Sequence, residues 1–202
     1  WQQASQDAEQ ELRADFMHEV ASAQRSIETE LAANASVLKS FAGLFNASSE
    51  VTRQDFRVFF ESLSLDQGVH NFAAVTYVES VPASKLDQHL ARVRRDGQTD
   101  YQIHPVEPRE AYAPVVYIEP FSGDNRKVPG FDNFSVLPAR VAMQRARDSG
   151  ALTLSGKLTL KQDEGKGVPG IVIYQPLYRP GTAPNTPALR QTHLLGLSLI
   201  HI

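Results

Sequence analysis

The stretch VPGFDNFS at residues 128–135 organises our interpretation of this chain, because it leads from a turn into the start of a helix. Gly130 frees the backbone just before an aromatic residue and a carboxylate. Ser135 is a candidate N-cap, and Pro138 fits the first turn of the helix that follows. Gly150 is placed to end that helix. The stretch therefore predicts a loop-to-helix junction with an acidic group at its centre.

The carboxylate at this junction, Asp132, has two interpretations. Held between Phe131 and other apolar neighbours, it is a candidate anchor for a small polar ligand. Alternatively, it accepts backbone N–H groups of the loop or of the helix start, as Asp side chains often do. The physics of the sequence leaves both open and favours the second.

Composition bounds the class of protein. The 202 residues suffice for one large or two small domains, and 42% hydrophobic with 21% charged residues is typical of a globular chain. A net charge of −3 argues against broad nucleic-acid binding. The absence of cysteine excludes disulfides, thiolate metal sites and a cysteine nucleophile.

The ends of the chain suggest a piece of a longer protein. It opens on Trp1-Gln2-Gln3 inside a helical pattern and stops on LIHI at 199–202, inside a strand pattern. It has no apolar run long enough to span a bilayer and no basic-headed signal peptide. We expect any membrane anchor to lie outside these residues.

The first segment has helical periodicity from about Ala4 to Phe45. Its apolar residues recur at steps of mostly three or four: Leu12, Phe16, Val20, Ala23, Ile27, Leu31, Leu38 and Phe41. A helix of about 40 residues is about 60 Å long, more than one small domain covers. We expect its first half to pack against the same helix of a second copy; two shorter helices broken near Asn34 are the alternative.

The rest of the chain alternates helices and strands. Thr52 and Asp55 predict the cap of a shorter helix, and a further helix starts near Ser84. The predicted strands are 71–79, 112–120, 151–160, 170–178 and 193–202, with a turn at 163–167 and a mobile loop at 179–192. Strands joined by short turns pair antiparallel. The predicted fold is α+β: a long N-terminal stalk helix followed by PAS-like antiparallel sheets with flanking helices.

A search for catalytic patterns finds none. The histidines are scattered without metal-ligand spacing, and the chain has neither a Gly-x-Ser-x-Gly motif nor a phosphate-binding glycine loop. We predict no catalytic residue, no metal and no cofactor, and we expect this fragment not to be an enzyme.

Several motifs in order resemble the CHASE domain, the extracytoplasmic sensor of membrane-bound histidine kinases and nucleotide cyclases. They are YAPVVY at 112–117, Glu119-Pro120, GFD at 130–132, DSG at 148–150, LSG at 154–156 and VIYQPLY at 172–178. Each motif is weak alone, but the ordered set is specific. The resemblance covers about residues 65–202, and the family also has a long helix ahead of this region.

The resemblance implies a division into two parts. Residues 1–64 form the stalk and short helix, and residues 65–202 form a PAS-like sensor region. A membrane-distal, ligand-binding subdomain takes about 70–180, and a membrane-proximal subdomain is completed by 190–202. The family also implies a periplasmic location, a membrane tether outside the fragment and a histidine kinase or diguanylate cyclase as the output.

The resemblance also implies a ligand site. In the cytokinin receptors of the family, an Asp of the GFD region reads adenine, which corresponds here to Asp132. A hydroxyl on the next strand corresponds to Ser155, and a strand-start glycine to Gly170. Because Ser155 replaces Thr and GFD is the bacterial form, the ligand is purine-like or of another class.

Strand alternation adds candidates for the pocket wall. A PAS-like sheet has a concave face that small molecules fill, and its candidate wall residues by alternation are Tyr77, Val115, Tyr117, Leu154 and Val172. Phe131 and Tyr112 are further candidate ligand-binding residues. The prediction is a small-molecule sensor that forms a homodimer through its stalk and does not bind nucleic acid. The alternative is a dimerisation or protein-interaction domain with a PAS-like fold and no ligand.

Overall fold

The computed structural model describes residues 2–64 and 74–201, and it begins with the long helix that the periodicity predicts. Helix α1 runs from Gln2–Ala47 without a break, so the alternative of two helices interrupted near Asn34 is wrong. Side chains between residues 10 and 29 are almost all exposed, whereas Leu38 and Phe41 are fully buried. The second half of α1 therefore packs on the body of the protein, and the first half has no cover from the described chain.

Helix α2, Arg53–Ser64, begins at the predicted capping box. The Thr52 N–H donates to Asp55 Oδ2 at 2.9 Å, and the Asp55 N–H donates to Thr52 Oγ at 3.2 Å. Each side chain thus satisfies a backbone donor that the first helical turn leaves free.

Nine strands follow, and five of them form one antiparallel sheet in the order β4-β1-β9-β8-β5. They are β1 Ala74–Glu79, β2 Val81–Pro82, β3 Ala111–Tyr112, β4 Val115–Glu119, β5 Thr153–Leu154, β6 Leu158–Thr159, β7 Pro169–Gly170, β8 Val172–Tyr178 and β9 Leu194–His201. The other four strands form two short antiparallel ladders, β2–β3 and β6–β7. The α+β class with an antiparallel sheet is confirmed. Residues 71–73 of the first predicted strand, and the predicted boundary at 64/65, lie at or outside the limits of the described residues.

The last described strand lies in the middle of the sheet. Strand β9 pairs with β1 on one side, where Tyr77 faces Ser198, and with β8 on the other, where Tyr174 faces Leu199. The segment predicted to complete the membrane-proximal subdomain, residues 190–202, includes β9, which lies in the same sheet as β1, β4, β5 and β8. The division into two subdomains stays a prediction.

Three more helices surround the sheet: α3 Leu86–Arg95, α4 Leu137–Ser149 and α5 Pro187–His193. Ser135 is not the N-cap of α4, because the helix starts two residues later and the Ser135 hydroxyl donates to Asp132 O at 2.6 Å. Gly150 ends α4 as predicted, with a φ of 73°.

The predicted mobile loop at 179–192 contains helix α5. Thr186 caps it by accepting the Leu189 N–H, and Pro187 occupies its first turn. A helix of seven residues has too few apolar positions to show helical periodicity, so the proline and threonine content of this segment predicts a loop instead.

The sheet has apolar layers on both faces. On one face, Val37, Leu38 and Phe41 of α1 pack with Phe56 of α2 and with inward residues of the strands, among them Ile173 and Ile200. On the other face, Ala139, Ala142, Met143 and Ala146 of α4 pack with Val78, Val172, Tyr174 and Leu199. We call these the stalk face and the outer face.

Candidate functional site

The GFD segment forms a loop threaded between two other pieces of backbone. The Gly130 N–H donates to Val115 O at 2.8 Å, and the His104 N–H donates to Gly130 O at 3.0 Å. Asp132 N–H returns a bond to His104 O at 2.8 Å. A Cβ on Gly130 would lie 1.8 Å from Gln102 O, and its φ is 86°. Only glycine fits at this crossing, which explains the first residue of the motif.

Asp132, the third residue of the motif, is fully buried and directs its carboxylate into the protein. Its Oδ1 accepts the Ala113 N–H at 2.8 Å and the Phe134 N–H at 3.1 Å. Its Oδ2 lies 3.0 Å from Arg109 Nε, an ion pair without good hydrogen-bond geometry. Asp132 therefore fastens the loop to the start of β4 and to Arg109, as the second interpretation of the sequence expected.

Phe131, the middle residue, lines an open groove of about 510 Å³ on the outer face. We call it the Phe131 groove, and its walls are His104, Pro105, Glu107, Phe131, Ser135, Val136, Thr159, Leu160, Lys161 and Glu164. Lys161 places its Nζ 5.8 Å from the centre of the Phe131 ring. The groove thus offers an aromatic surface with a cation above it.

A narrow cavity of about 20 Å³ adjoins the groove and shares Phe131, Val136 and Leu160 with it. That volume holds about one water molecule or one small group of a ligand, but not a whole organic molecule. Tyr174 and His201 line it from β8 and β9. The Tyr174 hydroxyl has no hydrogen-bond partner among the described residues, whereas His201 Nδ1 lies 3.0 Å from Gln162 Nε2. Burial lowers the pKa of His201 to about 4, so its ring is neutral at pH 7.

The other residues predicted for this site have their own roles in the protein. Ser155 accepts the Val172 N–H with its hydroxyl at 2.9 Å, which continues the pairing of β5 with β8. Gly170 is buried and pairs with Leu158 in the β6–β7 ladder. The Tyr112 hydroxyl donates to Glu107 O at 3.1 Å and so holds the loop that carries Arg109. None of these three residues lines the Phe131 groove.

Two predicted tyrosines lie on the opposite face of the sheet. Tyr77 and Tyr117 belong to the stalk-face core, whereas Val115 and Val172 belong to the outer-face core. The predicted wall therefore divides between two faces, because the sequence does not reveal which alternate residues of a strand point the same way. Tyr77 and Tyr117 both line a different cleft, beside the end of α1.

Sequence reasoning missed the polar residues around both cavities. Lys161, Gln162, Tyr174 and His201 reach the outer face from three segments, so no local motif marks them. The alternation of side chains along β8 and β9 could have indicated two of these residues. Tyr174 and His201 lie on the same face of the sheet, which follows from the register that pairs Val172 with His201.

Residues 2–64 and 74–201 contain neither a metal-binding cluster nor a membrane-spanning helix. No group of three or more histidine, aspartate or glutamate side chains there is arranged to hold a metal ion. No helix in that part of the chain has the length and apolar character needed to cross a membrane.

Comparison with known proteins assigns a family to most of the chain. The sequence model of the CHASE domain matches residues 49–202, the region that holds the whole sheet and α2. No curated protein matches the chain.

Proposed function

Because this chain belongs to the CHASE family of extracytoplasmic sensor domains, we propose that it binds a small molecule in the Phe131 groove. The observation that carries this proposal is the unpartnered Tyr174 hydroxyl behind an open groove of about 510 Å³. A buried polar group without a partner is costly, and a ligand or water that reaches it recovers that cost. Purine-like compounds, with a flat ring for Phe131, are the first candidates.

In this proposal, Gly130 and Asp132 of the GFD motif position the loop, and Phe131 contacts the ligand. Gly130 permits the backbone crossing, and Asp132 fixes the loop through Ala113 and Arg109. Phe131 then presents its ring to the ligand. Asp132 acts on the ligand through the position of Phe131.

The sheet offers a route from the groove to the stalk. Tyr174 and His201 lie on the outer face of β8 and β9, and α1 packs on the reverse face of the same two strands through the core that contains Ile173 and Ile200. A ligand that shifts these strands therefore biases α1 directly. Such a displacement suits a transmembrane receptor whose output, a histidine kinase or a diguanylate cyclase or phosphodiesterase, lies across a bacterial inner membrane.

A second copy of the chain completes the stalk in this proposal. Phe16 and Ile27 are 62% and 61% exposed and lie on the apolar stripe whose later members, Leu38 and Phe41, are buried. From Leu12 to Leu31 the stripe advances by steps of 4, 4, 3, 4 and 4, close to the 11-residue repeat of nearly straight paired helices. The same stripe on a second copy is a self-complementary cover.

Ligand binding is tested by calorimetric titration of the chain with adenine, isopentenyladenine, amino acids and organic acids. We expect a ligand of the groove to lose about 10-fold in affinity or more with Lys161→Ala or Tyr174→Phe. Lys157→Ala, an exposed lysine outside the groove, is the matched control. Binding that none of these changes affects rules out the groove.

Dimerisation is tested by sedimentation of wild type and of a Phe16→Ser, Ile27→Ser double variant. We expect a concentration-dependent dimer that the double variant loses. His18→Ser with Arg25→Ser, on the opposite side of α1 by helical spacing, is the control. A wild-type chain that stays monomeric at high concentration contradicts stalk pairing in the isolated chain.

One observation favours a second candidate function. The narrow cavity beside Phe131 has only about 20 Å³ of space, so side chains already fill most of the interior of the outer face. A PAS-like domain that only mediates dimerisation has no need of a ligand. It predicts that sedimentation shows a dimer while no compound of the screen binds.

A further inference from the structure

A second cleft lies at the end of the sheet where β1 ends. It is next to the start of β9, whereas His201 is at the end of that strand. Its volume is about 330 Å³, and it lies between the α1–α2 connection, the last residues of β1 and the segment after β8. We call it the strand-end cleft. Its apolar wall consists of Phe45, Val51, Tyr117, Pro180 and Leu195. A space of this size holds a small organic molecule.

Arg179 supplies an uncommitted positive charge to this cleft. Its side chain lines the cleft and has neither an ion pair nor a hydrogen bond among residues 2–64 and 74–201. Its backbone is fixed, because the Arg179 N–H donates to His193 O at 2.9 Å. A guanidinium with no protein partner is available to a carboxylate.

Tyr77 supplies a hydroxyl without a protein partner among the described residues. The residue is 4% exposed and lines the same cleft. Burial raises the pKa of Tyr77 well above its usual value, and the charge of Glu79 adds to the shift. The phenol therefore keeps its proton at every physiological pH and serves as a donor.

Arg92 is held at the cleft by a chain of buried contacts. Glu79 forms an ion pair with Arg92, and the same carboxylate oxygen lies 3.0 Å from His89 Nδ1. His89 Nε2 in turn lies 3.2 Å from the Tyr101 hydroxyl. Glu79 is thus committed to two partners, while Arg92, which lines the cleft, makes no hydrogen bond from its Nε or Nη1 among the described residues.

The charges around the cleft favour an anion. A neighbouring cleft of about 280 Å³ shares Glu79, Arg92 and Arg179 with it and adds Lys85. Glu50 is the one carboxylate of the strand-end cleft, among the described residues, without a protein partner, and it is exposed. The strand-end cleft itself has two cations, Arg92 and Arg179, and Lys85 adds a third in the neighbouring cleft. Against them stand Glu79, which is paired, and Glu50, which is exposed and well solvated.

We propose that the strand-end cleft binds a small monocarboxylic acid with an apolar body. The carboxylate takes hydrogen bonds from Arg179 and from the Tyr77 hydroxyl, with Arg92 nearby, and the apolar body lies on Phe45, Tyr117 and Leu195. This site is separate from the Phe131 groove, and it does not depend on a ligand there. Because Phe45 belongs to α1, an occupant contacts the stalk helix directly.

The test is calorimetric titration at fixed ionic strength with phenylacetate and hexanoate. Phenylacetamide and hexanamide are their neutral counterparts, inorganic phosphate is an anion without an apolar body, and L-phenylalanine adds an ammonium group. We expect the two acids to bind and the amides and phosphate to bind at least 10-fold more weakly. Phosphate that binds as tightly as phenylacetate, or phenylalanine that binds 10-fold more tightly, overturns the monocarboxylate class.

Two variants locate the acid without loss of protein contacts. We expect Arg179→Gln to weaken phenylacetate binding about 10- to 100-fold, and Tyr77→Phe to weaken it several-fold, as is typical of a lost hydrogen bond to a charged group. Arg145→Gln, an exposed arginine on α4 at the outer face, is the matched control.

The remaining outcomes are also decisive. Failure of both acids to bind at millimolar concentration overturns the proposal, and so does equal binding to wild type and Arg179→Gln. Acid binding that responds to Lys161→Ala or Tyr174→Phe assigns the acid to the Phe131 groove, which overturns this site and supports the groove. If Lys161→Ala or Tyr174→Phe abolishes ligand binding in the Phe131 groove but leaves acid binding intact, the strand-end cleft is a separate site, as proposed.

Discussion

Tyr77 and Tyr117 are cross-strand partners in β1 and β4, with ring centres 5.7 Å apart, yet their hydroxyls have opposite environments. The Tyr117 hydroxyl lies 2.8 Å from Asp96 Oδ2 and 3.1 Å from Val51 O. The Tyr77 hydroxyl has no partner among the described residues. The Tyr117 hydroxyl ties the sheet to the α1–α2 connection, whereas the Tyr77 hydroxyl makes no bond within the described protein.

This contrast predicts unequal effects of the same substitution. Tyr117→Phe should lower the free energy of unfolding by about 1–3 kcal/mol, because a bond to a carboxylate is lost. Tyr77→Phe should change it by less than about 0.5 kcal/mol, since no protein bond is lost. Urea denaturation of both variants measures the difference, and equal losses would contradict the assigned environments.

Asp132 is predicted to act on stability first. Asp132→Ala removes the acceptor of two backbone N–H groups and the partner of Arg109, so we expect a loss of about 3–5 kcal/mol. Asp132→Asn keeps one carbonyl oxygen for those N–H groups and should lose less. Guanidinium denaturation gives both values. An alanine variant with wild-type stability and altered ligand binding would return Asp132 to the role of a ligand contact.

Gly130 should be far less tolerant of alanine than a glycine with the same backbone angle. Gly130 and Gly165 have φ values of 86° and 85°, but a Cβ meets Gln102 O at 1.8 Å in the first and nothing within 4 Å in the second. Positive φ costs about 1–2 kcal/mol, and a backbone clash adds about 1–3 kcal/mol. Thermal unfolding of Gly130→Ala and Gly165→Ala separates the two contributions. Similar melting temperatures would mean that the loop moves freely away from Gln102.

His201 predicts a loss of stability in mild acid. Its folded pKa of about 4 is below the unfolded value of 6.5, so the unfolded chain takes up a proton first as the pH falls. The stabilisation is complete above pH 6.5 and declines as the pH falls toward 4; from pH 7 to 5 the loss is about 2 kcal/mol.

Urea titrations of wild type and His201→Gln at both pH values test this prediction. Other titrating groups act equally in both proteins, so the difference between the two slopes reports His201 alone. We expect the variant to lose about 2 kcal/mol less than wild type between pH 7 and 5. Identical slopes would show that folding does not change the pKa of His201.

The elements of the fold were largely readable from the sequence, because periodicity reports burial directly. The α1 stripe, the Thr52 capping box and the β-rich runs around Val75 and Ile173 each reflect a local rule. Helix α5 was not predicted, because seven residues are too few to show helical periodicity. The prediction of Ser135 as an N-cap was wrong, because its hydroxyl donates to Asp132 O instead.

The cavities were not readable, because each is assembled from distant segments. Glu79, Arg92 and Arg179 meet at the strand-end cleft from β1, α3 and the segment after β8. Their approach depends on strand register and on a crossing that no single stretch encodes. The GFD motif drew attention to this loop, but the sequence did not reveal the separate roles of its three residues. Gly130 lies at a backbone crossing, Phe131 lines the groove and Asp132 anchors the loop, and these roles became visible only with the backbone of Gln102 and His104.

The position of β9 between β1 and β8 has a consequence for biosynthesis. Strands β1 and β4 leave the ribosome early and can form a hairpin, but one edge of β1 stays open until β9 has been translated. Pairing over such a long sequence separation is slow and leaves an unpaired edge that other chains can bind. The nascent domain therefore depends on β9 for protection from aggregation.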